Sequence, residues 1–205
     1  LNKIILETFI KRGLSDRRER ILRFTEKGIE FDNSTFFVEN IVFIEYSQIK
    51  SYRFGLKWIT GLYFTFGREY IIELKTLDNR IIKLNSSCYY GFKKIEFAKK
   101  QNEILDVLWK NYSEKKCLDN LEKYKSHMEF RILKTKITSK GVYIKNNLVE
   151  WNNIEIKEYF DYFVIFSSKD IENLNQAYYY KLDWDSGVLF GTIKTIKTVA
   201  NKAYN

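Results

Sequence analysis

The chain has no proline, one histidine and two cysteines in 205 residues. Cys88 and Cys117 form neither a CxxC pair nor a disulfide framework, which fits a reducing, cytoplasmic setting. A lone histidine, His127, excludes a His-rich metal site. No phosphate-cradling P-loop is present, and the glycines of "GLKWITGLYFTFG" have the wrong spacing for a dinucleotide turn. Cys88 stands just before an expected helix, yet no base is placed beside it by spacing, so its expected role is packing. The carboxylates are scattered rather than paired. These absences point away from catalysis and from any cofactor. Long apolar runs are missing too: the longest uncharged stretch, Trp58 to Gly67, falls well short of the ~20 residues that span a bilayer. No signal-peptide pattern appears, and an opening at Leu1 leaves a preceding membrane anchor open.

What remains is aromatic and basic. Phe, Tyr and Trp make up 17% of a chain that is 45% hydrophobic, and with the abundant isoleucine they favour strands. The length suits one large domain or two small ones. Residues 1–112 carry 20 basic and 14 acidic groups, or +6; residues 113–205 carry 15 and 12, or +3, giving +9 in all. Because the acids are interleaved throughout, the first reading is a solvated mixed surface. An anionic partner, either a membrane surface or a nucleic acid, is the second.

Several segments declare a period. Residues 1–12 place Leu1, Ile4, Ile5 and Phe9 on one helical stripe with Gly13 as a stop, a strand over Ile4–Ile10 being the alternative. "RERILRFT" and "GIEFDN" alternate as strands around Gly28, where a tight reversal calls for a residue tolerant of positive φ. "TFFVENIVFIEYSQIKSYRF" reads as two further strands, "LYFTF" as another, and "EYIIELKTLDNRIIKLN" as a hairpin turning at Asp78-Asn79. Phe97, Ile104, Val107, Leu108 and Tyr112 then recur at helical spacing. Ser113 to His127 keeps helical composition and is expected either to prolong that helix or to form a separate linker helix. Strands return from Met128, "KDIENLNQ" reads as a polar hairpin loop, and Leu189, Ile193, Ile196 and Ala200 form a closing helical stripe behind Asp185 or Ser186.

The chain repeats a phrase. "FTEKGIEF" (Phe24–Phe31) and "ITSKGVYI" (Ile137–Ile144) share apolar-Thr-x-Lys-Gly-apolar-x-apolar. Downstream, "IEYSQIKSY" (Ile44–Tyr52) answers "VEWNNIEIKEY" (Val149–Tyr159), and each half ends in one amphipathic helix. The order of a Thr-x-x-Gly hairpin, a Glu-Tyr/Trp-x-x-Ile strand and a closing helix resembles the bacterial pleckstrin-homology-like domains, in tandem. That resemblance implies an α+β, mostly β fold: two bent antiparallel sheets or open barrels, each closed by a C-terminal helix. The implied division is an N-terminal helix or arm over 1–14, a first domain over 15–112, a helical linker over 113–127 and a shorter second domain over 128–205.

The most suggestive surface is "SYRFGLKWITGLYFTFGREY", where Arg53, Lys57 and Arg68 accompany Trp58 among glycine turns. Bases on anionic lipid with a Trp at headgroup depth would suit a membrane edge. The same mixture also reads as an ordinary strand with its aromatics in the core. The leading expectation is a non-catalytic module that binds an unknown protein partner by adding a strand to a sheet edge. A peripheral adaptor on an anionic membrane, through Arg53, Lys57, Trp58 and Arg68, is second. Nucleic-acid binding ranks last.

Overall fold

The computed structural model describes residues 3–10, 19–32, 40–91 and 93–203. Gly13, the turn residues Asn33 and Ser34, and the start of "TFFV" lie outside the described residues. The fold is α+β and mostly β, built of antiparallel sheets with no closed barrel among the described residues. The chain divides into two compact units, Leu1–Tyr112 and Ser113–Asn205.

In the first unit, β1 (Ile4–Ile10), β2 (Arg20–Thr25), β3 (Gly28–Asp32) and β4 (Ile41–Glu45) form one sheet in that order. Residues 4–10 are thus a strand and not the helix first expected: Glu7, Thr8 and Phe9 face Arg23, Leu22 and Ile21 across the sheet. Ladder hydrogen bonds settle what seven residues of ambiguous period could not. A 3-10 turn at Tyr46–Gln48 leads into a second sheet of β5 (Ile49–Thr60), β6 (Thr65–Thr76) and β7 (Ile81–Lys83), with β8 (Ser86–Tyr89) also paired to β6. Helix α1 (Lys94–Leu108) packs against β1, β6 and β8 through its apolar stripe, of which Ile104 and Leu108 are buried. Leu22, Phe24, Ile29, Leu74 and Leu84 complete the sealed interior. A π-helical turn at Trp109–Ser113 follows.

The second unit opens with α2 (Glu114–Lys125). This helix is part of the unit's core rather than a linker. Its Cys117 thiol lies 3.5 Å from the Val188 carbonyl and its Asn120 amide donates to Thr192 at 3.3 Å, both on α3 (Ser186–Ala203). Between these helices β9 (Phe130–Ile132), β10 (Thr135–Ile137), β11 (Gly141–Ile144) and β12 (Asn147–Glu150) form a four-stranded sheet. A 3-10 turn at Trp151–Asn153 leads to β13 (Ile154–Glu158), β14 (Tyr162–Ser167) and β15 (Asp170–Tyr179). The "KDIENLNQ" segment is mostly strand here, not loop; only Ser168 and Lys169 turn. Leu189, Ile193, Ile196 and Ala200 are all buried, as their spacing predicts.

The repeated phrase marks the same place in both units. Thr25 Oγ1 donates to the Gly28 carbonyl at 3.1 Å and accepts from the Gly28 N–H at 3.2 Å. Thr138 makes the same pair with Gly141, at 3.0 and 3.2 Å. The glycines are needed for closeness rather than for positive φ, the expectation from sequence. A Cβ on Gly28 would sit 2.1 Å from the Ile44 carbonyl oxygen, and one on Gly141 2.0 Å from that of Val149. Gly28 lies opposite Glu45 and Gly141 opposite Glu150, and each glutamate precedes its 3-10 turn.

Candidate functional site

Strands β5 and β6 each run twelve residues, and their tip holds an exposed apolar cluster of three consecutive residues. Leu62 is 93% exposed, Tyr63 95% and Phe64 64%. The sequence reading of "LYFTF" as a strand fails here, because Leu62 to Phe64 form the bend between Thr60 and Thr65. The Gly61 N–H donates to the Phe64 carbonyl at 2.8 Å and closes that bend. Aromatic and β-branched composition signals strand, but at a hairpin tip the same residues face water.

Behind the tip, cross-strand register assembles two of the four residues singled out from sequence. Trp58 faces Arg68 directly, and the Arg68 guanidinium carbon lies 4.1 Å from the Trp58 ring centroid. Such a cation–π contact contributes about 0.5–2 kcal/mol and fixes the cation at a defined height on the hairpin. Both residues line a surface pocket of about 430 Å³, together with Phe66, Cys88, Tyr90 and Lys94. Lys57, the third, is exposed on the strand edge of the same hairpin and faces Glu69, whose carboxylate accepts from Asn85 at 3.1 Å.

Arg53 is different. It donates to the buried Glu73 carboxylate at 2.7 Å, and Lys83 approaches the other oxygen at 3.7 Å. Its partner is also its cross-strand neighbour, five residue pairs farther from the tip than Trp58 and Arg68. At ~3.3 Å per residue that separation is roughly 16 Å. Arg53 therefore neutralises a buried acid inside the sheet, which removes it from the surface group. The sequence could not show this, because the pairing partner lies twenty residues away.

Beside the pocket, α1 is tied to β6. Tyr70 stacks on Phe97 with ring centroids 6.3 Å apart, and its hydroxyl donates to the Lys94 carbonyl at 3.2 Å. Burial pushes the Tyr70 phenol pKa up, with the neighbouring Cys88 adding to the rise and Arg68 opposing it. Cys88 itself is buried on β8, opposite Arg68. His127 is exposed in the turn after α2. No cluster of three or more His, Cys, Asp or Glu that would hold a metal converges among the described residues.

No protein-family model, curated protein or solved structure matches the chain. No described helix is long and apolar enough to cross a membrane.

Proposed function

We propose that the chain is a non-catalytic tandem module of the bacterial pleckstrin-homology-like type that docks on an anionic membrane surface through the β5–β6 tip. Support for the domain type comes from each unit having a four-stranded antiparallel meander, then a three-stranded meander (with β8 added to β6 in the first unit), one Thr-x-x-Gly turn and one closing helix. The observation that carries the docking role is the tip itself: Leu62 and Tyr63 stand almost fully in water, and Phe64 is mostly exposed beside them. No charge occurs between Lys57 and Arg68. Apolar side chains ahead of a basic collar of Lys57, Arg68 and Lys94 match a bilayer edge, with acyl chains beyond anionic headgroups. Fully burying a Leu or Phe side chain is worth roughly 1.5–3 kcal/mol. Each basic residue near an anionic surface adds about 1 kcal/mol. Micromolar affinity needs about 8 kcal/mol, so partial insertion suffices.

Sedimentation with vesicles tests this reading. Binding to phosphatidylglycerol-containing vesicles but not to pure phosphatidylcholine is expected, with at least a tenfold loss in the Leu62→Ser/Tyr63→Ser/Phe64→Ser variant and in Lys57→Glu/Arg68→Glu. Indifference to both vesicles overturns it in favour of a protein partner at a sheet edge, and undiminished binding by the serine variant overturns the tip as the contact.

A further inference from the structure

A second site follows from comparing one row of side chains in the two units. In the first, Glu7 on β1, Arg23 on β2 and Glu30 on β3 are direct cross-strand neighbours. Arg23 bonds both carboxylates, Glu7 at very short range and Glu30 at 3.0 Å, so the row's one cation is paired on both sides. In the second, Arg131 on β9, Lys136 on β10 and Tyr143 on β11 hold the same register positions relative to the Thr-x-x-Gly turn. Both carboxylates have been replaced, one by a cation and one by a phenol.

Like charges directly opposite on a sheet are destabilising, so the Arg131–Lys136 pair costs the second unit stability that the first does not forgo. Two more cations crowd the same face. The β9–β10 turn presents Lys134 and the left-handed turn Lys145–Asn146 presents Lys145. Arg131, Lys134, Lys136, Tyr143, Lys145 and Gln176 line a pocket of about 400 Å³. Its internal compensation is slight. The Lys136 ammonium pairs with the half-exposed Glu129 at 2.6 Å and lies 5.0 Å from the Tyr143 ring centroid. The Lys145 ammonium donates to the Asn173 carbonyl at 3.0 Å. Four cations against one marginal carboxylate leave an excess positive charge in a concave site with phenol and amide donors at its wall.

We propose that this pocket binds a compact, multiply charged phosphate group, a diphosphate ester or pyrophosphate. Neighbouring strands lie ~4.8 Å apart, so the row from β9 to β11 spans about 10 Å. That span suits one diphosphate and not the continuous cation track that a nucleic-acid backbone requires. Arginine offers the planar fork that grips phosphate oxygens in pairs, and the lysines act as point charges around it. Binding relieves the like-charge contact, which makes the site electrostatically primed when empty. The inference concerns the second unit and stands apart from the tip of the first.

Isothermal titration of the full chain with pyrophosphate at low salt tests it. One pyrophosphate per chain is expected, at least tenfold tighter than orthophosphate and weakening steeply with added salt. Arg131→Gln/Lys136→Gln should lose at least tenfold in affinity while its Tm without ligand is unchanged or higher. Arg23→Gln, which alters the matching row of the first unit, should leave the affinity as it was. A second arm separates free ligand from lipid: the Leu62→Ser/Tyr63→Ser/Phe64→Ser variant is mixed with phosphatidic-acid vesicles. Release of that variant by pyrophosphate assigns the site to lipid phosphate as well; its failure to bind the vesicles assigns it to the soluble diphosphate. Pyrophosphate binding no tighter than orthophosphate, or undiminished in Arg131→Gln/Lys136→Gln, overturns the proposal.

Discussion

Thr25 and Thr138 close their turns with the same pair of hydrogen bonds, whereas Arg23 and Lys136, two residues before them, sit in opposite electrostatic surroundings. Arg23 is flanked by Glu7 and Glu30; Lys136 is flanked by Arg131 and Tyr143. The two units agree where backbones touch and differ where side chains meet solvent. A turn glycine answers to sterics that no neighbour can relax, while an outer-face row answers only to a cross-strand energy of roughly 0.2–1 kcal/mol. Such a row can change its chemistry without losing the fold. A similar divergence separates the β5–β6 hairpin, with twelve residues per strand and an apolar tip, from the shorter β13–β14 hairpin, which turns through Phe160 and Asp161.

The largest effects should come from making the shared turn impossible. Gly28→Ala and Gly141→Ala each push a methyl into a carbonyl oxygen, and each is expected to cost about 3 kcal/mol, read by denaturant unfolding. Equal costs sharpen the equivalence of the two turns; a harmless substitution in either breaks it.

The next difference lies at the aromatic after each glutamate. The Trp151 indole N–H donates to the Thr138 carbonyl at 3.1 Å, but the buried Tyr46 hydroxyl has no hydrogen-bond partner. Trp151→Phe should therefore cost roughly 1–3 kcal/mol by leaving a buried acceptor unpaired. Tyr46→Phe should be neutral or stabilising, because it removes an unsatisfied group. Thermal unfolding of the two variants decides it.

A smaller effect comes from exchanging the rows. Arg131→Glu/Tyr143→Glu would give the second unit a Glu-Lys-Glu row to match the Glu-Arg-Glu row of the first, and a gain of about 0.5–1 kcal/mol is expected in low salt, shrinking as salt is added.

The smallest is alkaline. Burial pushes the Tyr46 pKa up to about 12 from an ordinary 10.0. The unfolded chain therefore releases this proton first. Its contribution is whole below pH 10 and is lost as pH climbs towards 12. Tyr46 is partly exposed, so the loss should stay below about 1 kcal/mol. Tyr70 and Tyr178, also raised by burial, add to the same fall. A Tm profile flatter in Tyr46→Phe than in the wild type over that range is the expected sign.

Sequence periodicity carried the helices of 94–108 and 186–203 but misled at residues 4–10, which form a strand. The stripe of Leu189, Ile193, Ile196 and Ala200 is buried throughout, and of the stripe from Phe97 to Tyr112 the residues Ile104, Leu108 and Tyr112 are buried. The repeated phrase led to the equivalent turns because Thr-x-x-Gly encodes a local hydrogen-bonded geometry. The errors share a cause, which is that strand partners are distant. Residues 170–176 look like a loop because their two apolar residues, Ile171 and Leu174, stand three apart among polar ones and do not alternate. Arg53 looks like a surface cation until β6 brings Glu73 beside it. The cationic pocket was missed for the same reason: Arg131, Lys134, Lys136 and Lys145 are spaced unremarkably along the chain and gather only when β9, β10 and β11 pair. The exposed tip had a signal in the ten uncharged residues from Trp58 to Gly67, read there only as too short to span a bilayer.

The most direct test of the docking role places an environment-sensitive fluorophore at the tip by Tyr63→Cys, the two native cysteines being buried. Anionic vesicles should shift its emission to the blue and brighten it, while the same label at Asp119→Cys on α2 stays unchanged. Emission from position 63 that ignores anionic vesicles would contradict the account.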